Sequence, residues 1–293
     1  MRLGAIDIGS NAARLLITNV VEGIGHAPEF YKIDLIRVPL RLGFDVFETG
    51  VISEQRTNMV FETMKAFSHL LKVYEVDNLK ACATSAMRDA VNGGEILQKV
   101  KEQTGIDIEI ISGDLEASII YETHVADNMS MNNSYLYIDV GGGSTELNLF
   151  AEGKFIFKKS FNIGTIRLLK NQVTEQTWDE MKNTIKAKTK GHKKIIAIGT
   201  GGNINKIFSV SKKKDGKPLE LNLLRDYYKE FSGFSVKDRI RLYKFREDRA
   251  DVIVPALMIY INVMRWADAD EILVPKIGLV DGLVQQLYSE LRK

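Results

Sequence analysis

Three stretches of this chain share one grammar, an apolar strand running straight into a glycine turn. That repetition constrains the fold more than any other feature. The fullest copy is Tyr135-Leu-Tyr-Ile-Asp139-Val-Gly141-Gly142-Gly143-Ser144-Thr145-Glu146-Leu147. Its aromatic and β-branched run reads as a buried strand that delivers Asp139 to its end. The three glycines let the backbone turn sharply and bring N–H groups close to a ligand. Ser144 and Thr145 add hydroxyls, and Glu146 adds a second carboxylate on the returning strand. Exposed N–H groups between two acids suit a phosphate held with a hard cation such as Mg2+. A plain glycine hairpin with solvated acids reads the same stretch equally well when it is taken alone.

Repetition tells against the plain hairpin. Leu3-Gly-Ala-Ile-Asp7-Ile-Gly9-Ser10-Asn11 repeats strand, Asp, apolar residue, Gly and hydroxyl residue. Ile195-Ile-Ala-Ile-Gly199-Thr200-Gly201-Gly202-Asn203 repeats it again without the acid. Each half of the chain reads as strand, strand, strand, helix, strand, helix. The expected fold is therefore α/β and duplicated: two domains, each a mixed sheet flanked by helices, with a cleft between them. The boundaries are expected at residues 1–122 plus 279–293 for the first domain and 123–278 for the second. Hinges are expected near 118–128 and 275–282.

Bulk properties exclude several functions. The 293 residues are 45% apolar, enough for two cores. Forty basic against 38 acidic side chains leave a formal charge of +2, too near neutral for a nucleic-acid or membrane binder. One cysteine, Cys82, excludes an internal disulfide framework and fits a reducing cytosol. No leader-like segment opens the sequence and no apolar run reaches a bilayer's span, so a cytoplasmic protein is expected. The four histidines lack zinc-ligand spacing. The lysines between Lys182 and Lys194 read either as a solvated surface or as an aid to a long anionic substrate.

At the level of elements, residues 3–8, 15–21 and 29–38 are expected as strands, with a loop at Arg41–Asp45. Ser53 is expected to cap a long helix whose Val60, Met64, Phe67 and Leu71 share one face. A strand at 79–83, a helix at 92–104 closed by Gly105, a strand at 106–111 and a helix from Asp114 follow. The second half should place strands at 154–161, 194–199 and 271–274, a buried helix at 252–265 and a last helix opened by Gly278.

These residues resemble the exopolyphosphatase and guanosine pentaphosphate phosphohydrolase (Ppx/GppA) family of the actin-like ATPase and sugar kinase superfamily. Asp7-Ile-Gly-Ser-Asn11 is similar to that family's first phosphate loop, and Asp139-Val-Gly-Gly-Gly-Ser-Thr-Glu146 to its second. Ala83-Thr-Ser-Ala-Met-Arg88 is similar to its small-residue–Arg segment. Ile111-Ser-Gly-Asp-Leu-Glu116-Ala resembles the segment bearing its catalytic glutamate. Ile163-Gly164-Thr-Ile-Arg167-Leu, Ile198-Gly-Thr-Gly-Gly-Asn203 and Asp248-Arg-Ala-Asp251 follow in the family's order. Two positions depart from the pattern. Ala12 replaces a hydroxyl residue, and Ser118 stands where the family carries an arginine that would grip a polyanion. The chain also ends where longer members add a helical domain, which favours shorter substrates or a nucleotide.

The resemblance implies hydrolysis of a terminal phosphoryl group of inorganic polyphosphate or guanosine pentaphosphate. It implies Glu116 as general base and Arg88 as a stabiliser of charge on the transferring group. Asp139, Glu146 and Asp7 would hold Mg2+, with Mn2+ as an alternative. Gly9, Ser10, Asn11, Arg14, Gly141, Gly142, Gly143, Ser144, Thr145 and Gly201 would bind phosphate, with Arg41 a weaker candidate. A homodimer is compatible with this reading. A non-catalytic sensor of phosphorylated nucleotides and a small-molecule kinase are the competing classes. Glu116 also reads simply as a helix-start glutamate favoured by the dipole.

Overall fold

The computed structural model describes residues 1–23, 27–116, 118–119, 133–152, 154–192, 194–275 and 278–292. The chain divides into two compact units, residues 1–123 with 278–293, and residues 124–277. The expected hinge stretches include 120–128 and 276–277, which lie outside the described residues, as do His26 and His124.

In the first unit, β1 (Arg2–Ile8), β2 (Ala12–Val21), β3 (Glu29–Pro39), β4 (Asn78–Ala83) and β5 (Glu109–Ile110) form one sheet in the order β3-β2-β1-β4-β5. The first three strands are antiparallel and the last two pairings parallel. The expected strand at 106–111 contributes only Glu109 and Ile110 to the ladder. Arg41–Asp45 is not a loop either. Arg41 takes a left-handed conformation and starts α1 (Leu42–Thr49), because the Ser10 and Asn11 carbonyls bind the N–H groups of Gly43 and Arg41.

The first unit continues with α2 (Glu54–Val73), α3 (Ser85–Asp89) and α4 (Gly93–Thr104). Ser53 caps α2 by accepting from the Arg56 N–H, and Val60, Met64 and Phe67 are buried at helical spacing. Gly105 closes α4 in the left-handed conformation. The C-terminal helix Leu279–Leu291 packs Leu279, Val280, Leu283, Val284 and Leu287 on Leu3, Ala5, Leu16, Val20 and Cys82 of the sheet. That apolar face holds the helix on the first unit far more than the Lys32–Asp281 and Lys80–Glu290 ion pairs do. Such half-exposed pairs contribute up to about 1 kcal/mol each.

The second unit carries β6 (Ser134–Val140), β7 (Thr145–Ala151), β8 (Lys154–Phe161), β9 (Ile195–Thr200), β10 (Leu219–Glu220) and β11 (Glu271–Leu273). Their order is β10-β11-β9-β6-β7-β8. Taken from the other edge, its first five strands repeat the order and directions of the first sheet. In both sheets an antiparallel three-strand meander is extended by a parallel strand. Its helices are α5 (Thr165–Leu169), α6 (Glu175–Thr189), α7 (Gly202–Ser211), α8 (Leu221–Ser232), α9 (Val236–Tyr243), α10 (Glu247–Ala250) and α11 (Ile253–Trp266). The central one is α11, which buries Ile253, Ala256, Leu257, Ile259, Tyr260, Val263 and Met264. Pro255 is tolerated there because it sits in the first turn, where its missing N–H has no intrahelical role.

This is the duplicated actin-like α/β fold, with two mixed sheets flanked by helices. No helix among the described residues is long and apolar enough to cross a membrane.

Candidate active site

Both glycine turns are built in one way. The Gly9 N–H donates to the Ala12 carbonyl at 3.0 Å, and the Gly141 N–H donates to the Ser144 carbonyl at 2.9 Å. Each bond closes a tight loop between two antiparallel strands and leaves the intervening residues at the sheet's end.

In the second unit the turn's carbonyls are taken up from behind. Those of Gly141 and Gly142 accept from the N–H groups of Thr165 and Ile166 at 3.0 and 2.9 Å, and that of Gly143 accepts from Arg167 Nε at 2.8 Å. The Thr145 hydroxyl donates to the Ile163 carbonyl. A Cβ on Gly164 would lie 2.3 Å from the Gly142 oxygen, so α5 can approach only because residue 164 is glycine. With its carbonyls occupied and the Gly141 N–H used within the turn, the N–H groups of Gly142, Gly143 and Ser144, which meet no acceptor among the described residues, are the polar set for a ligand. That is the property an anion cradle needs.

Cross-strand register then fixes the acids. Asp139 lies opposite Glu146 on β7 and beside Thr200 on β9, and Glu146 lies opposite Ser160 on β8. Residues so paired share one face of a sheet. Thr200, Asp139, Glu146 and Ser160 thus form a single row of oxygen-bearing side chains across four strands. Ser160 donates to Glu146 Oε1 at 2.9 Å, and the Thr200 hydroxyl is buried with no hydrogen-bond partner among the described residues. Two carboxylates and hydroxyl oxygens are the hard-donor chemistry that Mg2+ or Mn2+ takes.

The first unit uses the same register with a different result. Asp7 lies opposite Arg14 on β2 and beside Cys82 on β4. Arg14 binds the Asp7 carboxylate at 2.6 Å, so where the second unit doubles the negative charge, the first neutralises it. Burial pushes the Asp7 carboxyl above the usual carboxylate range, against the opposing pull of Arg14. The two residues expected to serve separately, Asp7 on a metal and Arg14 on phosphate, are thus bound to each other.

Ser10 shares a 2.8 Å buried hydrogen bond with Ser85, tying the first turn to α3. Arg88, on α3, donates to the Ile111 carbonyl at 2.9 Å and lies 3.7 Å from Asp89. It anchors the backbone that leads into the helical residues 113–116. The Ser112 hydroxyl caps that turn through the Leu115 N–H, and Glu116 is half-buried on it. Burial pushes the Cys82 thiol up, and the charges of Asp7 and Glu116 act in the same direction. Both acids therefore act on one end of the first sheet. Ser118 turns its hydroxyl back to the Asp114 carbonyl at 3.0 Å.

Arg249 and Tyr260, given no role of their own in the sequence reading, belong to the second unit's site beside Gly201, itself an expected phosphate binder. Gly201 has a φ of +94°, and a Cβ there would meet Asp139 Oδ1 at 2.6 Å. Beside it, Arg249 donates to Asn203 Oδ1, and its guanidinium fills the space that a Cβ on Gly202 would need. Tyr260, fully buried on α11, donates its hydroxyl to the Thr200 carbonyl at 2.6 Å. Burial pushes its phenol well above the usual range, helped by the charge of Asp139. The only sequence signal for Tyr260 is a phenol inside an apolar helix, which must find a hydrogen-bond partner when buried.

The sequence model of the Ppx/GppA phosphatase family matches residues 17–291. The chain is 35% identical over 170 residues to a bifunctional 3-dehydroquinate synthase/phosphatase of Fusobacterium nucleatum, covering 56% of this chain and 25% of that protein. It is 27% identical over 303 residues to a guanosine-5'-triphosphate,3'-diphosphate pyrophosphatase of Pseudoalteromonas translucida, covering 98% of this chain and 58% of that protein. An exopolyphosphatase 1 of Mycobacterium tuberculosis is 24% identical over 311 residues, with 99% and 89% covered. The chain therefore spans a quarter and somewhat over half of the first two relatives. Among solved structures, the Ppx/GppA family member of Aquifex aeolicus aligns with a TM-score of 0.75 at 25% identity, over 99% of this chain and 98% of that one.

Proposed function

Because the chain belongs to the Ppx/GppA phosphatase family, we propose that it is a Mg2+-dependent phosphoanhydride hydrolase. It releases terminal orthophosphate from inorganic polyphosphate, guanosine pentaphosphate or both. The observation that carries this reading is the Asp139–Glu146 carboxylate pair beside a glycine turn whose carbonyls are already bound. A site for a neutral ligand gains nothing from two adjacent acids. A site for a cation and a phosphate needs them, together with N–H donors. The names of the pentaphosphate-directed and polyphosphate-directed relatives support the substrate class.

Mg2+, or Mn2+ in its place, would be held by Asp139 and Glu146, while Asp7, expected as a third ligand, is bound to Arg14. The cation would supply neutralisation of charge on the transferring group. The N–H groups of Ser10 and Asn11 and of Gly142, Gly143 and Ser144 would bind phosphate oxygens, assisted by Gly201, whereas the Gly9 and Gly141 N–H groups, the Thr145 hydroxyl and Arg14 are engaged within the protein. Glu116 would take the proton of the attacking water, and Arg88 would steady the segment carrying Glu116 and the charge nearby. Phosphoryl transfer needs little covalent work from a protein, so positioning and charge carry the rate.

The test is orthophosphate release by the purified chain from tripolyphosphate, long polyphosphate, guanosine pentaphosphate and ATP, each with Mg2+ and with EDTA. Release that EDTA abolishes supports the reading, and the preferred compound names the substrate. Binding without release from all four would assign the chain to the sensors.

A further inference from the structure

We infer that Tyr260 is a positioning residue for the Asp139 carboxylate, acting through the backbone of the strand beside it. This rests on the hydrolase reading for its consequence in catalysis, but the geometry is independent of it. The Tyr260 hydroxyl donates to the Thr200 carbonyl at 2.6 Å from a fully buried position on α11. Thr200 is the last residue of β9 and the register partner of Asp139. The next residue, Gly201, turns with a φ of +94°, and Asp139 Oδ1 lies only 2.6 Å from where a Cβ on it would be. The chain of contacts therefore runs from phenol to carbonyl, from carbonyl to glycine, and from glycine to carboxylate oxygen. The first link is a 2.6 Å hydrogen bond, the second is covalent, and the third is an approach that leaves no room for a Cβ on Gly201.

Such an arrangement has a physical purpose. A carbonyl at the end of a strand has lost its ladder partner, and a buried carbonyl without a donor is costly. Water could satisfy it, but water so close to Asp139 would leave the turn mobile. A rigid phenol on a packed helix satisfies the carbonyl and fixes its position together. Groups one step removed from a metal's ligands commonly set the metal's affinity in this way, and their loss costs about 10–100-fold in affinity or activity.

The experiment compares wild type, Tyr260→Phe and Val263→Ala. Val263 is a fully buried neighbour on the same helix without a polar link to the site, so its variant reports lost core packing alone. Three quantities are measured: Mn2+ affinity by electron paramagnetic resonance without substrate, amide hydrogen exchange over residues 199–204, and kcat and KM for tripolyphosphate. The inference predicts that Tyr260→Phe weakens Mn2+ binding about tenfold or more. It should also speed exchange at Gly201–Asn203 and lower kcat with KM little changed. Val263→Ala should lower the melting temperature and leave Mn2+ affinity near wild type. If Tyr260→Phe matches wild type in exchange, or if both variants lose Mn2+ affinity equally, the positioning role is overturned. If wild type neither binds Mn2+ nor releases orthophosphate, the hydrolase reading falls, and the exchange comparison still decides whether Tyr260 holds the turn.

Discussion

Asp7 and Asp139 occupy the same place in the two sheets, yet their surroundings differ in sign. Arg14 stands opposite the first and Glu146 opposite the second. The Asp7–Arg14 pair is a completed interaction, and removing the arginine would leave a buried carboxylate without its counter-charge. Arg14→Gln is therefore expected to destabilise the chain by about 1–3 kcal/mol in urea unfolding. The figure lies below that for a fully buried pair because the Arg14 side chain is 31% exposed. An unchanged midpoint would show that Asp7 is satisfied by other groups.

Asp45 gives a prediction in pH. Its partial burial raises its carboxyl, but bonds from Ser53 and Arg56 overcome this and hold it below the usual carboxylate range. A depressed carboxyl contributes stability that is present above the ordinary range and lost as pH falls through its folded value. Asp45→Asn should flatten the decline in unfolding free energy between neutral pH and about pH 3. A decline as steep as wild type's would contradict the assignment. The sequence displays these residues but not their pairings. Glycine turns and terminal acids are visible as local patterns. That Arg14 neutralises Asp7, and that Tyr260 reaches Thr200, depends on strand register and helix packing, which no local pattern carries.

Among the elements, the long and strongly periodic segments were the legible ones. Ser53 announces α2, Gly105 ends α4, and the apolar run around Tyr260 is a buried helix, because a cap or a 3.6-residue period is local. The short connections were not. Residues 41–45 contain a glycine and read as a loop, but Ser10 and Asn11 supply the carbonyls that start a helix at Leu42. Residues 106–111 carry four isoleucines and read as a strand, but only two residues of this stretch, Glu109 and Ile110, find a ladder partner. In both cases tertiary context, a contact made in the first and a pairing not made in the second, overrides propensity.

The caps can be tested directly. Ser53→Ala should cost about 1 kcal/mol of stability through the lost acceptor for the Arg56 N–H. A neutral result would show that solvent replaces the cap. Behind the second glycine turn, Gly164→Ala forces α5 away from the Gly142 carbonyl. It should cost about 1–3 kcal/mol and weaken phosphate binding by that turn, measured by isothermal titration with inorganic phosphate. Full phosphate affinity in a destabilised Gly164→Ala would separate the turn's shape from its function.

For the whole molecule, duplication was legible because the strand-to-glycine grammar recurs at matching places in both halves, and the two sheets have the same order over five strands. Duplication also explains how one scaffold can divide the work. The Gly9 turn keeps an acid neutralised by Arg14 and sits on the unit that carries Glu116, while the Gly141 turn keeps two acids opposite each other. A single sheet with one turn would have to hold cation, phosphate and base on the same few strands. The division predicts that losing the base and losing the cation ligands fail differently. Asp139→Asn should abolish the dependence of rate on Mg2+ concentration, whereas Glu116→Gln should keep that dependence and lower the ceiling.

The decisive comparison is orthophosphate release at saturating Mg2+ by wild type and Glu116→Gln, with tripolyphosphate binding checked by calorimetry on both. A general base at Glu116 predicts a fall in kcat of at least about a hundredfold with binding unchanged. Equal rates in the two proteins would contradict it.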